Sequence, residues 1–590
     1  GKNGNFNALS PKHSLLVSAK PEAFGFLGGN PEGAIKLSGA HITLSGKNKH
    51  LGLNSANLIV ENNTKINANE GANIKIESDN FNVTNESVIQ TNTKSDVNAG
   101  NINVDAISTK VTGGLISADS NGTGNAGSIS IHSKEFIINN DTANASVISS
   151  NTHFLNRNDI GGKGGEVLIV SDSINVKSGG FLEVESHGSG RGGALTLQAK
   201  ILEIDGGKLT GSTYQTGEGG EINIMADNIS LNNSGYIESN AHGQGNGGFT
   251  NIQPRSENTD LLLNIRNQGR ISSATFGDSI GGTIDIKANI LNMEYASIST
   301  DAQSSTSSST LGGSIKIQAD RVILGNLSSI ASNTSGKGNA GQVYINSNHL
   351  SLDSAIITSN SYSASTEQAG GNAGLVKIDT ERLNLRSNSN IQGSSISTDT
   401  YGLGNAGRIE IDADKIYVES AGLVSSKGVT TLSSIESTTF STDDSAGRGG
   451  DILIEAKEIN IKQFSRIITG TEGEGDAGYM RLETDELLVG GERSSISGRT
   501  GQEAGVDIWG QSLDWLEGTG GDVNIKAGTT KLYDGGRITT QSFANGNSGN
   551  LNIDTENISI ENNSFIIASS LHDGKGGSIG IITENLSLKS

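Results

Sequence analysis

Sixteen glycine corners recur between Gly100 and Gly577, and the same apolar pattern follows each of them. After Gly220 come Ile222 and Ile224, then Ile229 and Leu231, then Ile237. After Gly549 come Leu551 and Ile553, then Ile558 and Ile560, then Ile566; after Gly165 come Val167 and Ile169, Ile174 and Val176, and Leu182 and Val184. Gly193, Gly220 and Gly248 stand 27 and 28 residues apart, and longer intervals read as this unit with an insertion. Pairs spaced by two are the mark of a strand with one buried face. Three such short strands cannot hide their apolar faces within one unit, but a stack of units can. The expected fold is therefore all-β: a right-handed, single-stranded parallel β-helix with about 28 residues and three short strands per coil, and corner insertions.

Glycine supplies 81 of the 590 residues and proline only 4, a balance that suits a repeating coil better than a disordered chain. The last glycine of motifs such as "GNAG" is expected to take a positive φ on entry to the first strand, with the preceding Asn bonding to neighbouring backbone. Two regions are expected: residues 1–96, with shorter coils, and the glycine-rich repeats of 97–590. The formal charge of −21 opposes nucleic-acid binding, and no apolar run is long enough to span a bilayer.

Excess length falls mostly between the third strand and the next glycine corner, as at 156–165, 299–313 and 498–521. Insertions there leave a stack intact and project from one edge. One exception, 253–270, lies inside a coil and is expected to break the step from first to second strand. The 498–521 insertion carries both tryptophans, Trp509 and Trp515, which are candidate platforms for sugar rings. Trp509, Leu513 and Leu516 also have helical spacing, so a short helix docked on the stack is the other reading.

No catalytic, cofactor-binding or metal-ligating constellation emerges. The chain has no Cys, and neither HExxH nor a calcium-binding nonapeptide repeat occurs. His187 and His242 share offset +22, with Gln215 at that offset in the coil between them. Two coils separate them by ~9.6 Å, too far to share one metal ion. Glu183 and Glu238 share offset +18, with Gly211 between them. The carboxylate columns of a β-helical polysaccharide lyase or hydrolase are not legible, and the chain reads as a non-enzyme.

Residues 18–78 contain Pro21, then "AFGFL" at 23–27, "LGL" at 51–53, and Gly71, Ile74, Ile76 and Ser78. This stretch resembles the later part of the haemagglutination-activity domain of two-partner-secretion, filamentous-haemagglutinin-like exoproteins. Pro21, Phe24, Gly25 and Phe26 carry the match. The resemblance implies a Gram-negative exoprotein, secreted or displayed at the cell surface, that passes unfolded through an outer-membrane β-barrel transporter. It implies an adhesin: a monomeric rod that binds glycans or proteins of host, matrix or neighbouring cells, without a cofactor. A β-helical polysaccharide lyase or hydrolase and a passive surface scaffold are the alternatives. The opening Gly1, without a leader, is expected to reflect a removed leader or an internal fragment.

Overall fold

The structure, a computed structural model, describes residues 50–140, 144–153, 161–303, 310–362, 370–424, 431–441, 446–501, 518–543 and 545–589, with five short strands before His50. No helix occurs among the described residues, so none is long and apolar enough to cross a membrane. The chain forms two compact units: Gly1–Gly277 with Gly282–Ala288, and Asp278–Gly281 with Asn289–Ser590.

Each unit is a parallel β-helix. In the first, Glu166–Lys177 pairs in register with Ala194–Asp205, which pairs with Glu221–Asn232. In the second, Leu375–Ser387, Arg408–Ser420 and Asp451–Lys462 stack in the same way. Third strands form their own ladder, as in Gly180–Glu183, Lys208–Thr210 and Tyr236–Glu238. The expected first and second short strands run together as one bent strand of about 12 residues in most coils. Pairing skips a single residue at the bend: Ser171 faces Ala199 and Ser173 faces Ile201, leaving Asp172 unpaired. Hydrogen bonding thus continues around the bend. At the 253–270 insertion the strand does divide, into Phe249–Gln253 and Leu262–Arg266.

The recurrent aliphatic positions fill the interior. Ile222, Ile224, Ile229, Leu231 and Ile237 have no solvent exposure, and the Val167–Val184 set is equally buried. Each such side chain contributes roughly 1.5–3 kcal/mol. Core size is thus a matter of stacking rather than of any one coil.

The corner glycines are required for a reason other than the expected one. None of those between Gly127 and Gly577 is among the residues with positive φ. Instead, corner glycines within each unit lie against the backbone of the coil before them. A Cβ on Gly127 would stand 1.9 Å from the carbonyl oxygen of Gly100, and one on Gly374 would stand 1.9 Å from that of Gly341. Close backbone approach excludes every side chain there. The left-handed residues sit at the turn between second and third strands, where Asn233 and Ser234 have φ of 52° and 62°.

The Asn of the corner motif bonds across coils. Asn339 Oδ1 accepts the Asn372 N–H, Asn372 Oδ1 that of Asn405, and Asn405 Oδ1 that of Arg448, each at 2.8 Å. An external asparagine ladder therefore runs beside the glycine column.

Candidate functional site

In the first unit the chain leaves the third strand through "SSNTH" at 149–153, "EVESH" at 183–187, "TGSTY" at 210–214, "ESNAH" at 238–242 and "SSATF" at 272–276. Parallel, in-register coils place equivalent side chains one strand spacing apart, which is also a ring-stacking distance. His153, His187, Tyr214, His242 and Phe276 form a continuous stack. Their centroids are 5.1, 4.4, 4.9 and 4.9 Å apart, with interplanar angles of 19°, 1°, 13° and 10°. The ring faces cover one another. Edges reach solvent, and Tyr214 and Phe276 remain 41% and 39% exposed.

Buried polar groups lie behind the rings. Glu185 Oε2 meets His187 Nε2 at 3.1 Å, while Oε1 accepts Thr210 Oγ1 at 2.8 Å and the Tyr214 hydroxyl at 3.2 Å. Asp119 Oδ1 accepts the Asn151 N–H at 2.8 Å and Oδ2 accepts Ser149 Oγ at 3.0 Å, with His153 Nε2 4.0 Å away. Glu183 Oε2 accepts Asn151 Nδ2 at 3.1 Å. Asn92 Oδ1, Asp119 Oδ1 and Asn151 Oδ1 each accept a backbone N–H from the following coil, those of Asp119, Asn151 and Glu185 in turn. The corner is thus built as a hydrogen-bonded ladder.

Its electrostatics are uneven. Burial, and then the charge of Glu185, pushes the Glu183 carboxyl up to about 7. Burial also raises Asp119 above the usual carboxylate range, although the Asn151 N–H opposes this. For Glu185 burial is outweighed by hydrogen bonds from His187 and Thr210, which hold its pKa below the ordinary value. Burial lowers His153 and His242. Carboxyls driven apart in this way are the pattern of an acid–base pair. Here, however, both oxygens of Glu185 and of Asp119 are already engaged within the ladder.

The second unit repeats the device. Tyr362, Tyr401 and Phe440 stack at 5.0 Å and 5.0 Å, with angles of 14° and 15°. Asp301, Asn333, Asn360 and Asp399 pass backbone hydrogen bonds from coil to coil, ending on the Thr438 N–H. Glu436 is paired with the Arg466 guanidinium at 2.8 Å. Burial, then the nearby Glu436, holds Asp399 well above the usual range.

Sequence-derived positions fare unequally. Phe24, Gly25 and Phe26 lie in strand Phe24–Gly28, whose backbone pairs with His50–Glu61. Pro21, Trp509 and Trp515 lie outside the described residues, as do the central parts of the insertions near 156–160, 304–309 and 502–517. His187 and His242 do share a column, but Tyr214, not Gln215, occupies the place between them. Likewise Thr210, not Gly211, separates Glu183 from Glu238. Both errors arise from one shortened turn. The coil after Gly193 turns through Gly206, at φ 67°, where the next coil uses Asn233 and Ser234, so all later offsets move back by one. Alignment on the third strand rather than on the glycine would have exposed Thr210, Tyr214 and the carboxylates beside them.

Among the described residues, no group of three or more His, Asp or Glu side chains is arranged to hold a metal ion. No family model matches the chain, and no curated protein or solved structure matches it either.

Proposed function

We propose that this chain is the β-helical stalk of a secreted or surface-displayed exoprotein of the filamentous-haemagglutinin type, and that it acts by binding rather than catalysis. The observation that carries this reading is the contrast between an invariant aliphatic interior and an exterior that varies from coil to coil, with added length gathered at one corner. A parallel stack tolerates such additions because its pairing depends on strands, not on the loops joining them. Strand Phe24–Gly28, from the stretch that resembles a haemagglutination-activity domain, pairs with the coil after it like any later strand, which supports reading that stretch as the start of the same stalk. The partners are an outer-membrane β-barrel transporter during export and glycans or proteins of apposed surfaces afterwards.

The test is adhesion of the purified chain to cells and matrix, with residues 502–517 deleted in a second sample. Reduced adhesion with an unchanged far-ultraviolet circular dichroism spectrum is the expected result. A chain that adheres to nothing refutes the reading.

A further inference from the structure

In the second unit, two coils turn from second to third strand through bulky residues where other coils use small polar ones. Asn62, Asn233, Asn267, Asp534 and Asn562 are left-handed at this turn, and so are Tyr295 and Leu327, with φ of 50° and 55°. Large side chains are the ones this backbone region disfavours most. Phe464 adopts it too, but its ring packs on Gly422. Tyr295 and Leu327 stay 47% and 39% exposed. Each stands two residues before the paired Ser297 and Ser329, so they are neighbours in successive coils, roughly 4.8 Å apart. Tyr214, Tyr236, Tyr401 and Tyr533 stack on another ring or carry a cation. Tyr295 has no ring or cation partner among the described residues. The strain therefore serves neither burial nor a neighbouring side chain.

A second irregularity lies beside them. Gly325 ends the second strand in the coil that carries Leu327. The equivalent position holds Asp353, Arg386 and Glu419 in the next three coils. Neither dihedral nor crowding demands a glycine here: its φ is not positive, and a Cβ would meet only the Met293 carbonyl oxygen, at 3.5 Å. At Gly490, by contrast, the Tyr533 ring fills the space. The missing side chain leaves a dip between outward Ile323 and Leu327, with Glu294 and Asp353 in the coils on either side. Amides hold both carboxylates in place. Asn326 Nδ2 donates to Glu294 Oε1 at 3.4 Å, and Asn388 Nδ2 to Asp353 Oδ2 at 3.3 Å.

We propose that this turn binds one pyranose ring of a neutral glycan, its C–H face on Tyr295 and Leu327 and its hydroxyls on Glu294, Asp353 and Asn326. A sugar ring presents an apolar face edged by hydroxyls, and the turn offers an apolar floor edged by acceptors. Adjacent hydroxyls can donate a pair of hydrogen bonds to one carboxylate, which needs no countercharge. Two half-exposed side chains fall far short of the about 800 Å² per partner that a stable protein interface buries. An anionic glycan is repelled by the two carboxylates.

The inference rests on the recognition role proposed above. Its test is saturation-transfer NMR on the full chain with the methyl β-glycosides of glucose, galactose and N-acetylglucosamine, and with methyl β-glucuronide as the anionic control. At least one neutral glycoside should receive saturation, and the glucuronide should not. Tyr295→Asn and Gly325→Asn restore the kind of residue other coils carry. Both should weaken binding at least about tenfold, while exchange protection of Ser297–Ser299 and Ser329–Ala331 stays level or rises. Lowered protection in Tyr295→Asn would show that the ring is structural and overturn the inference. A chain that saturates no neutral glycoside, equal transfer to the glucuronide, or undiminished binding in either variant overturns it as well. A chain that adheres to surfaces yet binds no glycoside refutes this site alone; one that binds a glycoside yet adheres to nothing refutes the adhesin reading alone.

Discussion

Glu183 should destabilise the first unit at neutral pH, and removing its charge should strengthen the fold. Its carboxyl titrates at about 7 in the structure against an ordinary 4.5. At ~1.4 kcal/mol per tenfold shift this gap is at most ~3 kcal/mol. A carboxyl whose pKa is raised by folding binds its proton more tightly in the folded chain. The penalty is therefore fully present above about 7, falls as pH drops through the window from 7 to 4.5, and is gone below it. Glu183→Gln keeps an oxygen to accept Asn151 Nδ2 and abolishes the repulsion from Glu185. The variant should raise the opening free energy of strands Ser146–Ser149, Gly180–Glu183 and Lys208–Thr210 by roughly 1–3 kcal/mol at alkaline pH, with no gain in acid. Amide hydrogen exchange, corrected for intrinsic rates and read by mass spectrometry on those peptides, measures it. Glu185→Gln is the internal control. Its folded pKa lies below the ordinary value, so its charge stabilises at neutral pH and the contribution disappears in acid. A Glu183→Gln variant no more stable than the parent at alkaline pH, or one equally stabilised in acid, would refute the electrostatic account of this corner.

Other perturbations probe the remaining contacts. Gly374→Ala places a Cβ 1.9 Å from the Gly341 carbonyl oxygen, so the coil must shift; local loss of exchange protection on both sides of residue 374 is expected, with a cost of about 3 kcal/mol or more. Tyr214→Phe keeps the ring stack and loses the hydroxyl bond to Glu185, costing about 1 kcal/mol, while Tyr214→Ala should cost more because it interrupts the stack between His187 and His242. Arg466→Met strips the cation from buried Glu436 beside Asp399; a loss of about 3 kcal/mol at neutral pH is expected, as chemical denaturation would show.

Much of the architecture could be read without coordinates because a solenoid repeats its constraints. The period-two pairs from Val167 to Val184 had to face inward, and only stacking could cover them. The glycine pair was legible as a corner, but its physical role was not. Whether Gly127 is needed for its own dihedral or for its neighbour depends on how closely Gly100 approaches, and that distance is a property of two coils.

The candidate site was only half legible, for a related reason. His187 and His242 were visible as a column, yet Tyr214 was displaced by the single-residue turn at Gly206. Asp119 and Glu185 carry no local signal at all. Burial by stacked coils raises Asp119 against the pull of the Asn151 N–H, and Glu185 is lowered by His187 two residues away together with Thr210 of the next coil. Sequence alone determined the class of fold, since apolar spacing is a local property repeated along the chain. Tertiary structure decided which side chains from successive coils touch, because register between coils depends on turn lengths that hydrophobic spacing does not encode.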